Sequence, residues 1–134
     1  MPPAPEPEGE IVVRKLSWVA SLALVLTLTD GAVAHHRVLR GGAHYYSDAL
    51  SGSPMACGGT YRPWKMVAAH RTLPCGTRLR VKNRANGRVV TVTVRDRGPF
   101  GDDAYILDVS RRAAKRLRFY DAGSARIRAA ILHD

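Results

Sequence analysis

The stretch "TRLRVKNRANGRVVTVTVRD", Thr77 to Asp96, predicts two strands joined by a tight turn. In its first half Leu79 and Val81 alternate with charged residues, and in its second half the valines of "VVTVTV" alternate with threonines. A period of two is typical of a strand with one buried face. Asn86 and Gly87 stand between the halves, and this pair favours a hairpin turn. The stretch therefore predicts a β-hairpin with one face in the core.

Shorter strand patterns lie on both sides of this hairpin. Strands are predicted within "GGAHYYSDAL" (41–50), "KMVAAH" (65–70), "ILDV" (106–109) and "SARIRAAIL" (124–132). Ser110 is the expected N-cap of the one helix, "RRAAKRLRFY". The chain therefore has five or six short strands, one helix and no room for βαβ repeats. This pattern favours a mainly-β fold, all-β apart from that helix, which is either a small barrel or a sandwich.

The first 34 residues have the features of an export signal. Two basic residues precede an apolar run of about a dozen residues, and "AVA" (32–34) follows with the small residues that a signal peptidase accepts. We predict a signal peptide over 1–34 and an exported domain over 35–134. A membrane anchor is the alternative, but the run is shorter than the roughly 20 residues that a spanning helix needs. No cysteine follows the run directly, so we expect no lipid anchor.

The chain is strongly basic, with a formal net charge of +10 at pH 7, and such a charge favours anionic partners. For an exported protein we expect these to be cell-wall polymers that carry carboxylates and phosphates. Nucleic acid is not expected, because the sequence contains no recognisable reader of bases. Every glutamate lies within residues 1–10, so any carboxylate chemistry of the exported domain depends on aspartates.

The chain has two cysteines, Cys57 and Cys75. A disulfide between them is expected in an oxidising compartment, and closing such a loop would stabilise a small domain by about 3 kcal/mol. A two-thiol metal site is the alternative, but no histidine stands at zinc-site spacing beside the pair. His35, His36 and His44 could chelate copper if His35 became the new N-terminus, but flexible histidines are the commoner case. We therefore expect no metal and no cofactor.

Asp96, within "RDRGPF" (95–100), is the first candidate for catalysis. Strand parity places Asp96 on the face of the buried valines, and Arg95 and Arg97 on the opposite face. At the rim of that apolar row, partial desolvation would let the carboxyl group hold a proton near neutral pH, as a general acid must. The alternative is structural, because an aspartate before Gly-Pro often fixes a turn through backbone N–H groups.

Other residues could complete a site. His70 is the one histidine in the middle of the domain, and Asp108 comes just before the helix. Each also has a structural interpretation, His70 as a hydrogen-bonded residue at a strand end and Asp108 as a tie for the helix start. Five aromatic residues in loops or near strand ends could stack on sugars, or could belong to the core. These are Tyr45, Tyr46, Trp64, Phe100 and Tyr105.

In order along the chain, "AAHRTLP", "GT", "NG", "DRGP" and "LDVS" form a pattern that closely resembles the rare lipoprotein A (RlpA)-like family, over about residues 42–132. The resemblance implies a six-stranded double-psi β-barrel, as in expansin and barwin-type domains, and a bonded cysteine pair. The implied activity is lytic transglycosylation of peptidoglycan. In that reaction the β-1,4 bond between N-acetylmuramic acid and N-acetylglucosamine is cut to leave a 1,6-anhydro end.

The resemblance also assigns residues by position. The family's catalytic aspartate falls on Asp96 and its histidine on His70, while Asp108 takes the place of an aspartate that expansins need. Arg97, beside Asp96, is a further candidate for substrate binding. Ordinary glycosidases use two carboxylates, but here the sugar's own 6-hydroxyl attacks, so one acid can serve both proton transfers. Gly59 stands where many members have a glutamate, which removes one functional carboxylate.

Two functions compete on this sequence. The first is a secreted, monomeric lytic transglycosylase of the periplasm, envelope or exterior, acting on peptidoglycan glycan strands that include strands stripped of peptides. The second is an expansin-like module that grips or loosens wall glycans without cutting them. Gly59 favours the second, and the retained His70 and Asp96 favour the first. A basic inhibitor or effector on a reused fold is less favoured than either.

Overall fold

The computed structural model describes residues 2–3 and 37–133. Apart from residues 2–3, the predicted signal peptide lies outside the described residues, and so do His35 and His36 of the copper alternative. Within the described part of the chain, no helix is both long enough and apolar enough to cross a membrane.

Six strands and one short α-helix make up the domain. The strands are β1 (Val38–Tyr45), β2 (Val67–Ala69), β3 (Arg78–Asn83), β4 (Val89–Asp96), β5 (Tyr105–Val109) and β6 (Ala125–Leu132). The helix, α1 (Arg111–Arg116), follows β5 almost directly, and a 3₁₀ turn (Asp48–Leu50) follows β1. The predicted mainly-β fold with one helix is confirmed.

The six strands close into a barrel in the order β1-β5-β2-β4-β3-β6. The β1–β5 and β2–β4 pairs are parallel, and the other four pairs are antiparallel. Closure pairs both sides of every strand, so the sheet has no free edge. The strand patterns alone left a barrel and a sandwich open, and the six-stranded barrel that the family resemblance implies is confirmed.

The hairpin of β3 and β4 supplies much of the core. Leu79 lies opposite Val92 and Val81 opposite Val90, and all four are buried while the residues between them are mostly exposed. Gly87 adopts a φ of 76° in the connecting turn, where a residue with a side chain would be strained. The hairpin prediction is therefore confirmed.

The first strand is longer than the sequence indicates. β1 begins at Val38, three residues before the predicted segment 41–50, because it pairs with β6 as far as the Val38–Ala130 pair. This pairing joins the first and last strands of the barrel. A partner so distant in the sequence leaves no local signal.

The helix is capped at both ends. The Oγ of Ser110 accepts a 3.3 Å hydrogen bond from the N–H of Ala113, so the predicted N-cap is confirmed. At the other end, the side-chain amides of Asn83 and Asn86 donate to the carbonyl oxygen of Leu117 at 2.9 and 3.0 Å. These bonds satisfy a helix-terminal carbonyl and fasten α1 to the β3–β4 turn.

Candidate active site

Four adjacent strands bring predicted polar residues into one row. Ala69, at the end of β2, pairs with Asp96 of β4 on one side and with Asp108 of β5 on the other. Asp108 in turn pairs with His44 of β1. Cross-strand partners share a face of the sheet, and two strand spacings put the aspartate Cα atoms about 10 Å apart. The barrel therefore sets two carboxyl groups on either side of one small side chain.

A register shift determines which residue of "RDR" enters this row. Ala68 pairs with Val94, but the next residue, Ala69, pairs with Asp96, so Arg95 is an extra residue in the ladder. Arg95 is exposed, whereas Asp96 is half-buried. The predicted position of Asp96 on the face of the buried valines is wrong. Ala68 and Val94 pack in the barrel core, whereas Ala69 belongs to the separate cluster of Tyr46 and Tyr61. The bulge therefore turns Asp96 away from the valine row and onto the face of Ala69.

Both carboxylate oxygens of Asp96 are held by hydrogen bonds. Oδ2 accepts a 2.6 Å bond from the hydroxyl of Tyr46. Oδ1 accepts from the backbone N–H of Ala56 at 2.8 Å and from that of Arg97 at 2.9 Å. The bond from Arg97 matches the turn-fixing role, but the other two come from distant segments. Together they hold the carboxyl group in one orientation.

Tyr46 is a buried partner of Asp96 and not an exposed stacking surface. Only 7% of the residue is exposed, and its ring stacks on that of Tyr61 with centroids 4.3 Å apart. Burial, together with the hydrogen bond to Asp96, raises the pKa of the Tyr46 phenol far above its usual range. The phenol therefore stays protonated and serves as a permanent donor.

Asp108 has surroundings that favour the protonated acid. Burial raises the pKa of its carboxyl group above the usual range, and the negative charge of Asp96 acts in the same direction. The nearby His44 and Arg71 oppose this rise. Two carboxyl groups that influence one another in a half-buried site are typical of an acid and base pair.

A backbone hydrogen bond joins His70 to Asp96: the N–H of His70 donates to the carbonyl oxygen of Asp96 at 3.1 Å. Its ring is committed on one side: Nδ1 accepts from the backbone N–H groups of Thr72 and Leu73 at 3.1 and 3.0 Å. Burial and then the positive charge of Arg71 lower the pKa of the imidazole. A neutral ring that accepts at Nδ1 carries its proton on Nε2, so His70 offers a donor there and no free base.

Two arginines hold the loops around the row. Arg97 donates through Nη1 to the carbonyl oxygens of Leu73 and His70 at 2.7 and 3.2 Å, so its guanidinium is engaged by the protein and does not pair with Asp96. Arg71 donates to three carbonyl oxygens of residues 99–105, which are the loop before β5 and the first residue of that strand. These belong to Pro99 at 2.6 Å, Tyr105 at 2.8 Å and Asp102 at 3.1 Å. Nothing in the sequence around Arg71 indicates this role.

The other predicted aromatic residues fall into different settings. Tyr45 stacks on Tyr120 with centroids 4.6 Å apart and packs against the core. Tyr105 stacks on His44, with centroids 3.6 Å apart, at the edge of the row. Trp64 and Phe100 are 59% and 76% exposed, so both rings can receive a sugar face.

A groove of about 800 Å³ runs past Arg95 and Trp64 and is bounded by Gly58 and Gly59. A Cβ added to Gly59 would meet only Met55, at 4.0 Å, so there is space for a side chain. The φ of Gly59 is +73°, however, which lies in the left-handed region that L-residues avoid. Glycine in place of the family's glutamate therefore suits the backbone found here.

The cysteines form the expected disulfide. Cys57 and Cys75 are bonded, with Cα atoms 5.8 Å apart, which rules out the two-thiol metal site. The bond ties the loop that carries Ala56 to the segment that follows His70. The N–H of Cys57 also donates to the carbonyl oxygen of Arg95 at 3.0 Å. The disulfide therefore braces the loop that holds Asp96.

Known structures share this barrel. The Streptomyces papain inhibitor aligns with a TM-score of 0.59 at 27% identity, over 72% of this chain and 96% of that one. A Clavibacter michiganensis expansin mutant, solved in complex with cellohexaose, also aligns with a TM-score of 0.59 at 23% identity, over 73% of this chain and 52% of that one. At 23% identity the second likeness shows the fold alone.

Sequence relatives indicate the family. The chain is 43% identical over 95 residues to the "Probable endolytic peptidoglycan transglycosylase RlpA" of Nostoc, which covers 69% of this chain and 25% of that protein. It is also 43% identical over 88 residues to the endolytic peptidoglycan transglycosylase RlpA of Pseudomonas aeruginosa, covering 66% and 26%. The chain thus spans about a quarter of the length of these relatives. A family model described as "Lytic transglycolase" matches residues 38–129. With this match and its closed barrel, the chain belongs to the RlpA-like double-psi β-barrel family of lytic transglycosylases.

Proposed function

We propose that this domain is a peptidoglycan lytic transglycosylase that cuts the β-1,4 bond between N-acetylmuramic acid and N-acetylglucosamine. The observation that carries the proposal is the pair Asp96 and Asp108 on either side of Ala69. Its family membership supports the reaction class. An exported protein acting on glycan strands as a monomer, delivered by the signal peptide predicted over residues 1–34, fits this activity and needs no cofactor.

The reaction requires two proton transfers and consumes no water. The 6-hydroxyl oxygen of the muramoyl residue attacks its own C1, and the bond from C1 to the leaving O4 breaks. Asp96, held by three hydrogen bonds, accepts the proton of the 6-hydroxyl. Asp108, whose raised pKa favours the acid form, gives a proton to O4. The proton then returns from Asp96 to Asp108 through solvent.

This assignment uses one residue as the base and another as the acid, whereas the sequence indicates a single residue for both transfers. One carboxyl group can serve both transfers, but a second lies two strands away. Burial, and after it the charge of Asp96, raises the pKa of Asp108. His70 is then a positioning residue, since its remaining ring donor, Nε2, can bind a sugar hydroxyl. The exposed rings of Trp64 and Phe100 can stack on sugar faces further along the strand.

The test is product analysis. The protein is incubated with peptidoglycan and with glycan strands stripped of peptides, and 1,6-anhydromuramoyl ends are sought by mass spectrometry. We expect products from the unchanged protein, a loss of at least about 100-fold in rate for Asp96→Asn and for Asp108→Asn, and little change for Asp121→Asn in an exposed turn. Undiminished product from Asp96→Asn would overturn the assignment of the base.

An expansin-like module is the second candidate, and Gly59 is the observation that favours it, because this position lacks the family's carboxylate. An expansin of the same fold has been solved with cellohexaose. On this alternative the unchanged protein binds glycan strands, and the bound strands keep their length with no anhydro ends. The same incubation therefore separates the two functions.

A further inference from the structure

A basic pocket of about 510 Å³ lies between α1, the residue after the β3–β4 turn and the loop that carries Trp64. Six cationic side chains line it: Arg88, Arg111, Arg112, Lys115, Arg116 and Arg118. Pro63 and Trp64 supply its apolar wall, and no acidic residue is part of the lining. The carboxyl pair described above plays no part in this pocket.

Few of these charges are neutralised within the protein. Among the described residues, Asp48 forms a salt bridge with Arg111. The ammonium group of Lys115 lies over the ring of Tyr120, 5.0 Å from its centroid. Arg88 and Arg112 each donate to a backbone carbonyl, of Arg116 at 2.7 Å and of Trp64 at 3.1 Å. A guanidinium carries five N–H donors, so each of these side chains keeps most of its donors for a ligand. The two bonds also fix the direction in which the guanidinium groups point.

Like charges lie next to one another on the surface of the helix. Arg111 and Lys115 are four residues apart, as are Arg112 and Arg116, and like charges at this spacing repel one another on a helix surface. An anion bound between them would relieve that repulsion. The cationic side chains of the helix are therefore in a more favourable electrostatic environment when an anion is bound than when none is bound.

Arg118 is the most informative residue of the pocket. The N–H of Phe119 bonds to the carbonyl of Ala114 and that of Arg118 to Lys115, so the helix ends in a Schellman motif with Arg118 at the position that glycine usually fills. Arg118 has a φ of 57° and is the one non-glycine residue with positive φ among residues 37–133. The backbone favours glycine here, but the chain places a guanidinium at the rim of the pocket.

From these features we propose that the pocket is a second, non-catalytic binding site for the oxyanion groups of an anionic cell-envelope polymer with a polyol or sugar backbone. Arginine forks bind phosphate and carboxylate groups alike. Trp64 offers one exposed ring, which suits a sugar, whereas single-stranded nucleic acid is bound by several rings that stack successive bases. Trp64 and Arg112 also line the groove beside Gly59, so the pocket adjoins that groove. Its proposed binding role goes beyond the cleavage reaction and does not require it.

The test uses the purified full chain and isothermal titration with two soluble polymers, poly(glycerol phosphate) and polygalacturonate, over a series of salt concentrations. Arg118→Gly is the decisive variant, because it removes the guanidinium and relaxes the backbone at once. Arg112→Gln with Arg116→Gln is the second variant. Arg40→Gln is the matched control, since Arg40 is exposed on β1 and does not line the pocket.

We expect Arg118→Gly to weaken binding by about 3- to 10-fold with a Tm no lower than that of the parent, and to reduce the slope of log K against log salt by about one. The double variant should lose about two from this slope, and Arg40→Gln should stay within about two-fold of the parent. Weaker binding of the phosphate polymer or of the carboxylate polymer by these pocket variants supports the site and identifies which group it holds.

Three results would overturn the proposal. Equal effects of Arg118→Gly and Arg40→Gln would mean that binding follows overall charge. Tighter binding of single-stranded DNA than of either polymer would mean a nucleic-acid site. Binding to phosphatidylglycerol vesicles, but to neither soluble polymer, would mean a membrane surface. Asp96→Asn should retain full binding of the polymer, which separates this result from any failure of the cleavage proposal.

Discussion

The hydroxyl of Tyr46 donates a 2.6 Å hydrogen bond to Oδ2 of Asp96, fifty residues away in the sequence. Removing that hydroxyl in Tyr46→Phe leaves Oδ2 of the half-buried Asp96 without its donor. We expect the rate of anhydro-product formation to fall by about 10-fold and the free energy of unfolding to fall by about 1 kcal/mol. Initial rates and denaturant titration measure the two quantities.

Tyr45→Phe is the matched control for that change. Tyr45 is the preceding residue, and its ring stacks on Tyr120 away from the Asp96 bond. The control should keep its rate of product formation. Equal losses in the two variants would show that the phenol of Tyr46 matters for packing alone and does not orient Asp96.

Asp108 gives a prediction for pH. Its folded-state pKa is raised by burial, so the folded protein binds the proton more tightly than the unfolded chain does. The resulting stability is complete below the ordinary aspartate pKa, and it is lost as the pH rises through the raised value. Asp108→Asn removes this loss of stability. The difference between the Tm of the variant and the Tm of the parent should therefore be more positive at about pH 7 than at about pH 3.

The same group should control the alkaline side of the rate profile. If Asp108 gives its proton to the leaving oxygen, the parent's kcat falls as the pH rises through the pKa of Asp108. The residual rate of Asp108→Asn should lack that fall. An unchanged alkaline limb in the variant would assign the acid to another group.

The disulfide should affect both stability and activity. Replacing Cys57 and Cys75 together by serine should lower the free energy of unfolding by about 3 kcal/mol. Because the neighbouring Ala56 donates to Asp96, the rate should fall as well. Chemical denaturation with and without dithiothreitol checks this result, since the reductant should weaken the parent and leave the serine variant unaffected.

Gly59→Glu tests whether the missing carboxylate limits the proposed transglycosylase activity. The left-handed backbone at this position should make the variant about 1 kcal/mol less stable. The open space around the added Cβ lets the carboxylate enter the groove, and we expect product formation to rise several-fold. Gly59→Gln carries the same strain without the charge, so an equal rise in both variants would contradict a role for the carboxylate.

Local patterns in the sequence predict the parts of the fold that depend on one strand or one turn. The alternation in β3 and β4 indicates their buried faces, and Ser110 is recognisable as a helix N-cap. The order of strands around the barrel has no such signal, because β1 pairs with both β5 and β6 at long sequence separation. Pairing of that kind is decided by the packing of the whole domain.

In the candidate site, too, local patterns predict some features, and contacts between distant residues decide the others. Parity assigns Asp96 to the face of Val94, because it cannot reveal the register shift that sets Asp96 opposite Ala69 instead. The aromatic residues look alike in the sequence, although the structure buries Tyr46 and exposes Trp64. Their roles depend on contacts with residues far along the chain, as the bond from Tyr46 to Asp96 illustrates.

Arg71 has a consequence for the way a ligand meets Phe100. The three carbonyl oxygens that it binds belong to the loop of residues 99–105, which carries the Phe100 ring into solvent. The conformational freedom of this loop is therefore lost during folding and not during binding. If the proposed function holds, a sugar that stacks on Phe100 meets a preorganised surface, and its affinity is not reduced by the entropy of ordering the loop.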